Sequence, residues 1–252
     1  MTLEDILTAT ARISLEEETH TYTVDGELAA TSVSALIEQL FPFDQLAMAA
    51  RAGRTSRERW TGDPECSDEA LAAAWTAHGA ARAAEGTAVH AAIHAFLATQ
   101  PGCVGGALPP ADPIPLDPVW AEALSFDFAG WTFAPEVPIA ANFPGVGLVA
   151  GTVDLLAMSP DGEFHLFDWK NIPAIKFDAR GTREQLSGLE VEGTKRVRYS
   201  VQLALYARIL SATHAITVPP EHRHIVSVVA DERPTEIELS EDGDGLAALL
   251  LV

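Results

Sequence analysis

The stretch from Gly151 to Lys170, GTVDLLAMSPDGEFHLFDWK, constrains this chain more than any other. Asp154 lies in an otherwise uncharged run, Val146 to Met158, built from Val, Leu, Ala and Gly. Ser159-Pro160-Asp161-Gly162 then reads as a tight turn, with proline suited to its second position and glycine to its fourth. In the next run, Glu163 to Lys170, alternation puts Phe164, Leu166, Asp168 and Lys170 on one face. Strands joined by so short a turn lie side by side, which brings Asp154 close to Asp168. A buried charge is costly unless it is paired or binds a metal. Two readings follow. One is an Asp–Lys salt bridge at a strand end. The other is a site for a hard divalent cation, Mg²⁺ or Mn²⁺, that relieves the repulsion between the carboxylates and keeps water for hydrolysis. Lys170 beside such an ion would position or deprotonate the attacking water and offset charge in the transition state.

Four blocks in order carry a family resemblance. They are Gly86-Thr87-Ala88-Val89-His90, Gly151-Thr152-Val153-Asp154, Phe167-Asp168-Trp169-Lys170, and Tyr199-Ser200-Val201-Gln202-Leu203-Ala204-Leu205-Tyr206. Together they resemble the PD-(D/E)XK nucleases, in particular the RecB-like exonuclease branch, and span about half the chain. The resemblance implies an α/β fold, the restriction-endonuclease-like mixed central sheet flanked by helices, with an added helical N-terminal region. It also implies that His90, Asp154 and Asp168 hold Mg²⁺ or Mn²⁺, with the Trp169 carbonyl as a further ligand. Lys170 would orient the water, and Gln202 and Tyr206 would secure the site. The activity implied is metal-dependent DNA cleavage at ends or in single strands, in recombination or repair.

Each block also has a plainer reading. His90 shares its helix face with Ile93, His94 and Leu97, so it also suits an ordinary core histidine. His94 stands where relatives often have Glu, and HAAIH lacks the glutamate of a zinc-protease motif. Glu136, alone in the apolar segment Phe133 to Ile139, is either an acidic group reaching the metal through water or a strand-end surface residue. Arg198, Gln202 and Tyr206 recur every four residues on one helix face, which suits a polar helix–helix contact as well as a catalytic edge.

Composition narrows the class. The chain has 252 residues, enough for one domain with a full core. It lacks an apolar run of membrane-spanning length, and its acidic start, Met1-Thr2-Leu3-Glu4-Asp5, is unlike a signal peptide; a cytoplasmic protein of a bacterial or phage-infected cell is expected. Cys66 and Cys103 cannot supply the four thiolates of the iron–sulfur cluster that several RecB-like relatives carry. The net charge of −20 opposes nucleic acid at long range. Yet residues 170–208 hold eight of the sixteen Lys and Arg against four acids, and 51–60 hold four Arg against one Glu. Lys176, Lys195, Arg196 and Arg198 are thus the candidates for DNA contact. An acidic body with basic strips suits a nuclease that sheds non-specific DNA, a high-salt cytoplasm, or docking to a helicase or annealing protein. A non-catalytic nuclease fold that binds DNA or a partner is the rival reading.

The pattern predicts one domain over 1–252, with an N-terminal hairpin and helical region to residue 85, and the resemblance implies a nuclease core from 86. The hairpin covers about 20–31, and Ser32 or Ser34 caps the helix that follows. Helices are expected near 33–40, 44–55, 68–100 and 195–213. Strands are expected near 131–140, 146–158, 163–170, 224–230 and 234–239. Residues 171–194 show no periodicity and contain Pro173, Gly181, Gly188 and Gly193, so a mobile substrate-gating loop is expected there.

Overall fold

The computed structural model describes the backbone of all residues except 17, 18, 20, 29, 30, 179–182, 187, 188 and 252, and gives no side chains for 126, 183–186, 189 and 190. The architecture is mixed α/β, a multistranded sheet flanked by helices. Chain order begins with α1 (Leu3–Thr10), β1 (Ile13–Glu16), β2 (Thr21–Val24), β3 (Glu27–Leu28) and β4 (Thr31–Ser32). Four helices follow: α2 (Val33–Leu40), α3 (Gln45–Ala50), α4 (Arg54–Thr61) and the long α5 (Asp68–Leu97). Then come α6 (Pro118–Asp127), β5 (Thr132–Phe143), β6 (Gly147–Met158), β7 (Phe164–Lys170), β8 (Arg183–Leu186) and β9 (Leu189–Glu192). The chain closes with α7 (Lys195–His214), β10 (Arg223–Ser227), β11 (Thr235–Ile237) and α8 (Gly243–Leu250).

Helix starts are chemically marked. Ser32, Asp44, Ser67 and Thr194 each accept an orphan amide at the head of α2, α3, α5 and α7. Thr2 and Asp5 form a reciprocal capping box on α1. Ser32 is therefore the cap, and Ser34 lies inside the helix. The helix expected over 44–55 is broken at residues 51–53, where Gly53 caps α4. Arg57 ties that break down by donating to the carbonyls of Ala49, Ala52 and Cys66 and pairing with Asp68 at 2.5 Å. Gly62, at φ 77°, ends α4 in the left-handed conformation that glycine adopts cheaply.

The central sheet runs β11-β10-β7-β6-β4, and β5 pairs with β6 from end to end except at Glu136 and Asp154. β5, β6 and β7 are antiparallel neighbours, whereas β7 pairs parallel with β10. The turn between β6 and β7 closes as the sequence predicts: the Gly162 amide donates to the Ser159 carbonyl at 2.9 Å, with Gly162 at φ 83°. The other edge of β6 is shared. Val149 and Ala150 pair with β4, whereas Leu155 to Met158 pair with β7. Residues 151–154 therefore lie where one neighbouring strand has ended and the next has not begun.

Apolar side chains cover both faces. On one, α1, α2 and α7 bury Leu3, Ile6, Phe41, Val201, Leu205 and Ile209 against Val137, Val153 and Leu166. On the other, α5 and α6 bury Ile93, Leu97, Trp120 and Leu124 against Phe133, Leu155 and Trp169. Fully burying each large side chain contributes about 1.5–3 kcal/mol, so these layers hold the strands in place. A small cluster, Ala49, Leu71 and Ala72, joins α3 to the start of α5. Between that cluster and the main core, residues 76–85 of α5 are exposed.

The segment 171–194 differs from the loop expected there. A 3₁₀ turn at Ala174–Lys176 is followed by the antiparallel pair β8 and β9. Gly181 and Gly188 lie outside the described residues. Strand pairing here is local, and four-residue strands are too short to show a periodic signal. Among the described residues, no helix is long and apolar enough to cross a membrane.

Candidate metal centre and its surroundings

The gap in the edge of β6 is where the chemistry collects. Beyond Leu155 the β7 ladder stops, and the Trp169 amide donates at 2.8 Å to the Asp154 carboxylate instead of to a β6 carbonyl. Across the other edge, Pro135↔Leu155 and Val137↔Val153 bracket Glu136 and Asp154 as facing residues. Like charges facing each other across a ladder are destabilising. Glu136 also leaves the strand conformation, with φ 49°, a left-handed value that costs a non-glycine residue about 1–3 kcal/mol. Strain and repulsion thus meet at one ladder position, which points to function rather than to folding.

His90 arrives from α5. Its Nε2–H donates to the Trp169 carbonyl at 2.8 Å, because a carbonyl only accepts. In the neutral ring that leaves Nδ1 as a lone pair, 3.5 Å from an Asp154 oxygen and 4.0 Å from a Glu136 oxygen. Ligand atoms of His90, Glu136 and Asp154 all lie within 4.8 Å of one another. One imidazole and two carboxylates form a donor set able to hold a metal ion.

Asp168 and Lys170 stand beside this trio as an ion pair. Lys170 Nζ lies 2.8 Å from Asp168 Oδ1 and 2.7 Å from Oδ2, with only the first contact aligned as a hydrogen bond. The Asp168 side chain is 1 % exposed and that of Lys170 14 %. Burial pushes the Asp168 carboxyl up to about 6; Lys170 opposes that rise and Asp154 adds to it. Burial disfavours the Lys170 ammonium, but Asp168 and Asp154 outweigh this and raise its pKa above the usual lysine value. Lys170 is therefore a cation at neutral pH. Its Nζ sits 4.7 Å from the centre of the Tyr199 ring, a cation–π contact.

α7 supplies the remaining wall. Gln202 donates to the Tyr206 hydroxyl at 2.9 Å, and Tyr206 is buried. Burial, with Asp154 and Asp168 nearby, raises the Tyr206 pKa well above its ordinary value, so the phenol stays neutral. Gly151 owes its identity to this ring: a Cβ there would lie 2.7 Å from Tyr206 Cε1 and 3.2 Å from a Val33 methyl. The N-terminal hairpin also reaches the site, where the Tyr22 hydroxyl lies 3.0 Å from Thr152 Oγ1.

The structure thus brings together His90, Glu136 and Asp154, with Asp168 and Lys170 alongside. Of the other expected ligands, the Trp169 carbonyl accepts from His90, and Asp168 pairs with Lys170 while its Oδ2 has no hydrogen-bond partner. His94, one turn beyond His90, is buried and donates to the Ala107 carbonyl at 3.0 Å, and burial lowers its pKa. The basic residues divide. Arg198 donates to the carbonyls of Gly193 and Phe41 and stacks on Phe41, and Arg196 clasps Asp178 at 2.6 and 2.7 Å. Lys195 is exposed; partial desolvation lowers its pKa, and so do the neighbouring charges of Lys176 and Arg82. Arg82 donates to the Asn171 carbonyl, directly after Lys170. Among the described residues, Arg82, Lys176 and Lys195 thus form a basic cluster beside Asn171. Sequence reasoning assigned no role to Tyr199, Tyr22 or Arg82. Tyr199 was detectable, since it precedes Gln202 by three and Tyr206 by seven on one helix face. Tyr22 was not, being 130 residues from Thr152.

No family model matches this chain, and neither does any curated protein. Among solved structures, the crystal structure of SSO0001 superposes with a TM-score of 0.39 at 16 % identity, over 98 % of this chain and 82 % of that one.

Proposed function

We propose that this chain is a Mg²⁺- or Mn²⁺-dependent deoxyribonuclease, an exonuclease of the RecB-like type acting at DNA ends or on single strands. The observation that carries the reading is the convergence of His90, Glu136 and Asp154 beside a charged, buried Lys170. His90, Glu136 and Asp154 hold the ion, which when bound supplies Lewis acidity toward a phosphate oxygen and an activated water. Lys170 acts as a fixed cation: protonated at neutral pH, it orients the water and offsets charge developing on the phosphate rather than removing a proton. Asp168 holds Lys170 in place, Tyr199 covers it, and Gln202 with Tyr206 fixes the floor. Arg82, Lys176 and Lys195 meet the backbone of the bound strand.

The test is degradation of end-labelled single- and double-stranded DNA with Mg²⁺, Mn²⁺ or EDTA, beside Lys170→Ala, over a range of salt. Metal-dependent cleavage lost in the variant is the expected result, and cleavage retained by folded Lys170→Ala overturns the role given to that residue. The net charge of −20, with Arg196 and Arg198 spent on internal contacts, favours one rival: a non-catalytic module docking a helicase or annealing protein. Such a module shows no cleavage under any of these conditions and no Mn²⁺-dependent stabilisation removed by Asp154→Asn.

A further inference from the structure

A second cluster lies at the other end of β7, independent of the nuclease reading. Glu163, His165 and His222 place ligand atoms within 4.8 Å of one another. His165 is buried at the start of β7, on the face opposite Asp168 and Lys170. His222 ends a 3₁₀ turn, and its Nε2 lies 3.6 Å from a Glu163 oxygen. Two ligands of one tetrahedral zinc, each about 2.0–2.1 Å from the metal, stand roughly 3.4 Å apart, so this pair is already at coordinating separation.

A hydrogen-bond chain sets the tautomer of His165. The Glu236 carboxylate only accepts, so His224 Nδ1–H donates to it at 2.7 Å. In a neutral ring His224 Nε2 is then a lone pair, and His165 Nδ1–H donates to it at 2.9 Å. That leaves Nε2 of His165 bare. A carboxylate behind a histidine that in turn backs a ligand is the arrangement that fixes ring orientation and raises ligand basicity at zinc sites. His165 and His222 stack with centroids 4.1 Å apart. Turning the His222 ring about χ2, a broad torsion, aims its lone pair at a shared ion at little cost.

We propose that Glu163, His165 and His222 form a second metal site, selective for a borderline transition ion such as Zn²⁺ over Mg²⁺, with His224 and Glu236 as its positioning residues. Two imidazoles favour such ions over hard ones. Three protein ligands leave a coordination position for water. The ion staples the turn before β7 to the turn before β10, securing the parallel pair that carries Asp168 and Lys170.

The test titrates Co²⁺ into the full chain carrying Asp154→Asn, which disables the other cluster, and follows visible absorption and tryptophan fluorescence. The Trp131 ring lies 4.8 Å from that of His165 and reports on the site. One equivalent of bound Co²⁺, displaced by Zn²⁺ but not by Mg²⁺, is expected. Adding His222→Asn should weaken it at least tenfold, and Zn²⁺ at about a hundredfold excess over Kd should raise Tm by about 5 °C. Glu163→Gln in the otherwise native chain gives the same comparison if Asp154→Asn does not fold. No bound Co²⁺, or binding unchanged by His222→Asn and Glu163→Gln, overturns the proposal.

Discussion

The two ends of β7 solve opposite problems with the same residue types. At its C-terminal end, carboxylates outnumber imidazoles: one histidine faces Glu136 and Asp154, and a lysine neutralises a third acid. At its N-terminal end, three imidazoles stack and bond in series, with acids only at the ends of the chain. The first region concentrates carboxylates in a buried gap. The second sets nitrogen donors near the protein edge, where Glu163 remains 60 % exposed. Ligand hardness and burial, rather than the presence of histidine and carboxylate as such, separate the two.

The sharpest way to break this contrast is to remove charge from the buried end. Lys170→Met leaves Asp168, whose side chain is 1 % exposed, without its counter-ion. Urea unfolding at pH 8 should show a loss of about 3–5 kcal/mol. Asp168 escapes by taking up a proton, and without Lys170 its pKa, already about 6, rises further. The folded state then binds that proton more tightly than the unfolded state, so the loss shrinks as pH falls and grows as pH rises. A loss that does not vary with pH would show that the pair is not a buried ion pair. A smaller effect, about 1–3 kcal/mol, is expected for Gly151→Ala, whose methyl group must displace Tyr206 or Val33. Tyr206 moves with Gln202, so the proposed nuclease activity should fall with stability; an unchanged Tm would show that this wall is loose. The gentlest contrast is pH. His165 has a folded pKa of about 4 against an ordinary 6.5. Between those values the unfolded chain binds more protons, so its contribution is present above about 6.5 and lost as pH falls toward 4. In the metal-free chain, denaturant midpoints across that window should fall with pH in the native protein and fall less in His165→Gln.

Much of the first region was legible because its residues sit on neighbouring, regular elements. The Ser159–Gly162 turn put β6 beside β7, and the 198-202-206 spacing put Gln202 and Tyr206 on one face of α7. Glu136 was visible as a lone acid, but not its left-handed backbone, which depends on what faces it across the ladder. The division of the basic residues was hidden as well, because Arg196 and Arg198 are consumed by Asp178, Gly193 and Phe41 through tertiary contacts. The second region left almost no trace. His165 and His224 are 59 residues apart and meet only because β7 and β10 pair in parallel, a register that local pattern does not encode. In the first segment, α1 was missed although Thr2 and Asp5 mark its start.

The bare middle of α5 has a geometric consequence. Residues 76–85 join the α3–α4 corner to the turn bearing His90 with exposed side chains, tied to their surroundings through Thr76 to Gln45, His78 against Trp60 and Arg82 to Asn171. One residue inserted there would turn the two ends about 100° relative to each other and part them by about 1.5 Å. This rod therefore acts as an angular gauge. Its count of residues sets the bearing of the distant corner as seen from the imidazole, and only insertions near whole turns would keep that bearing.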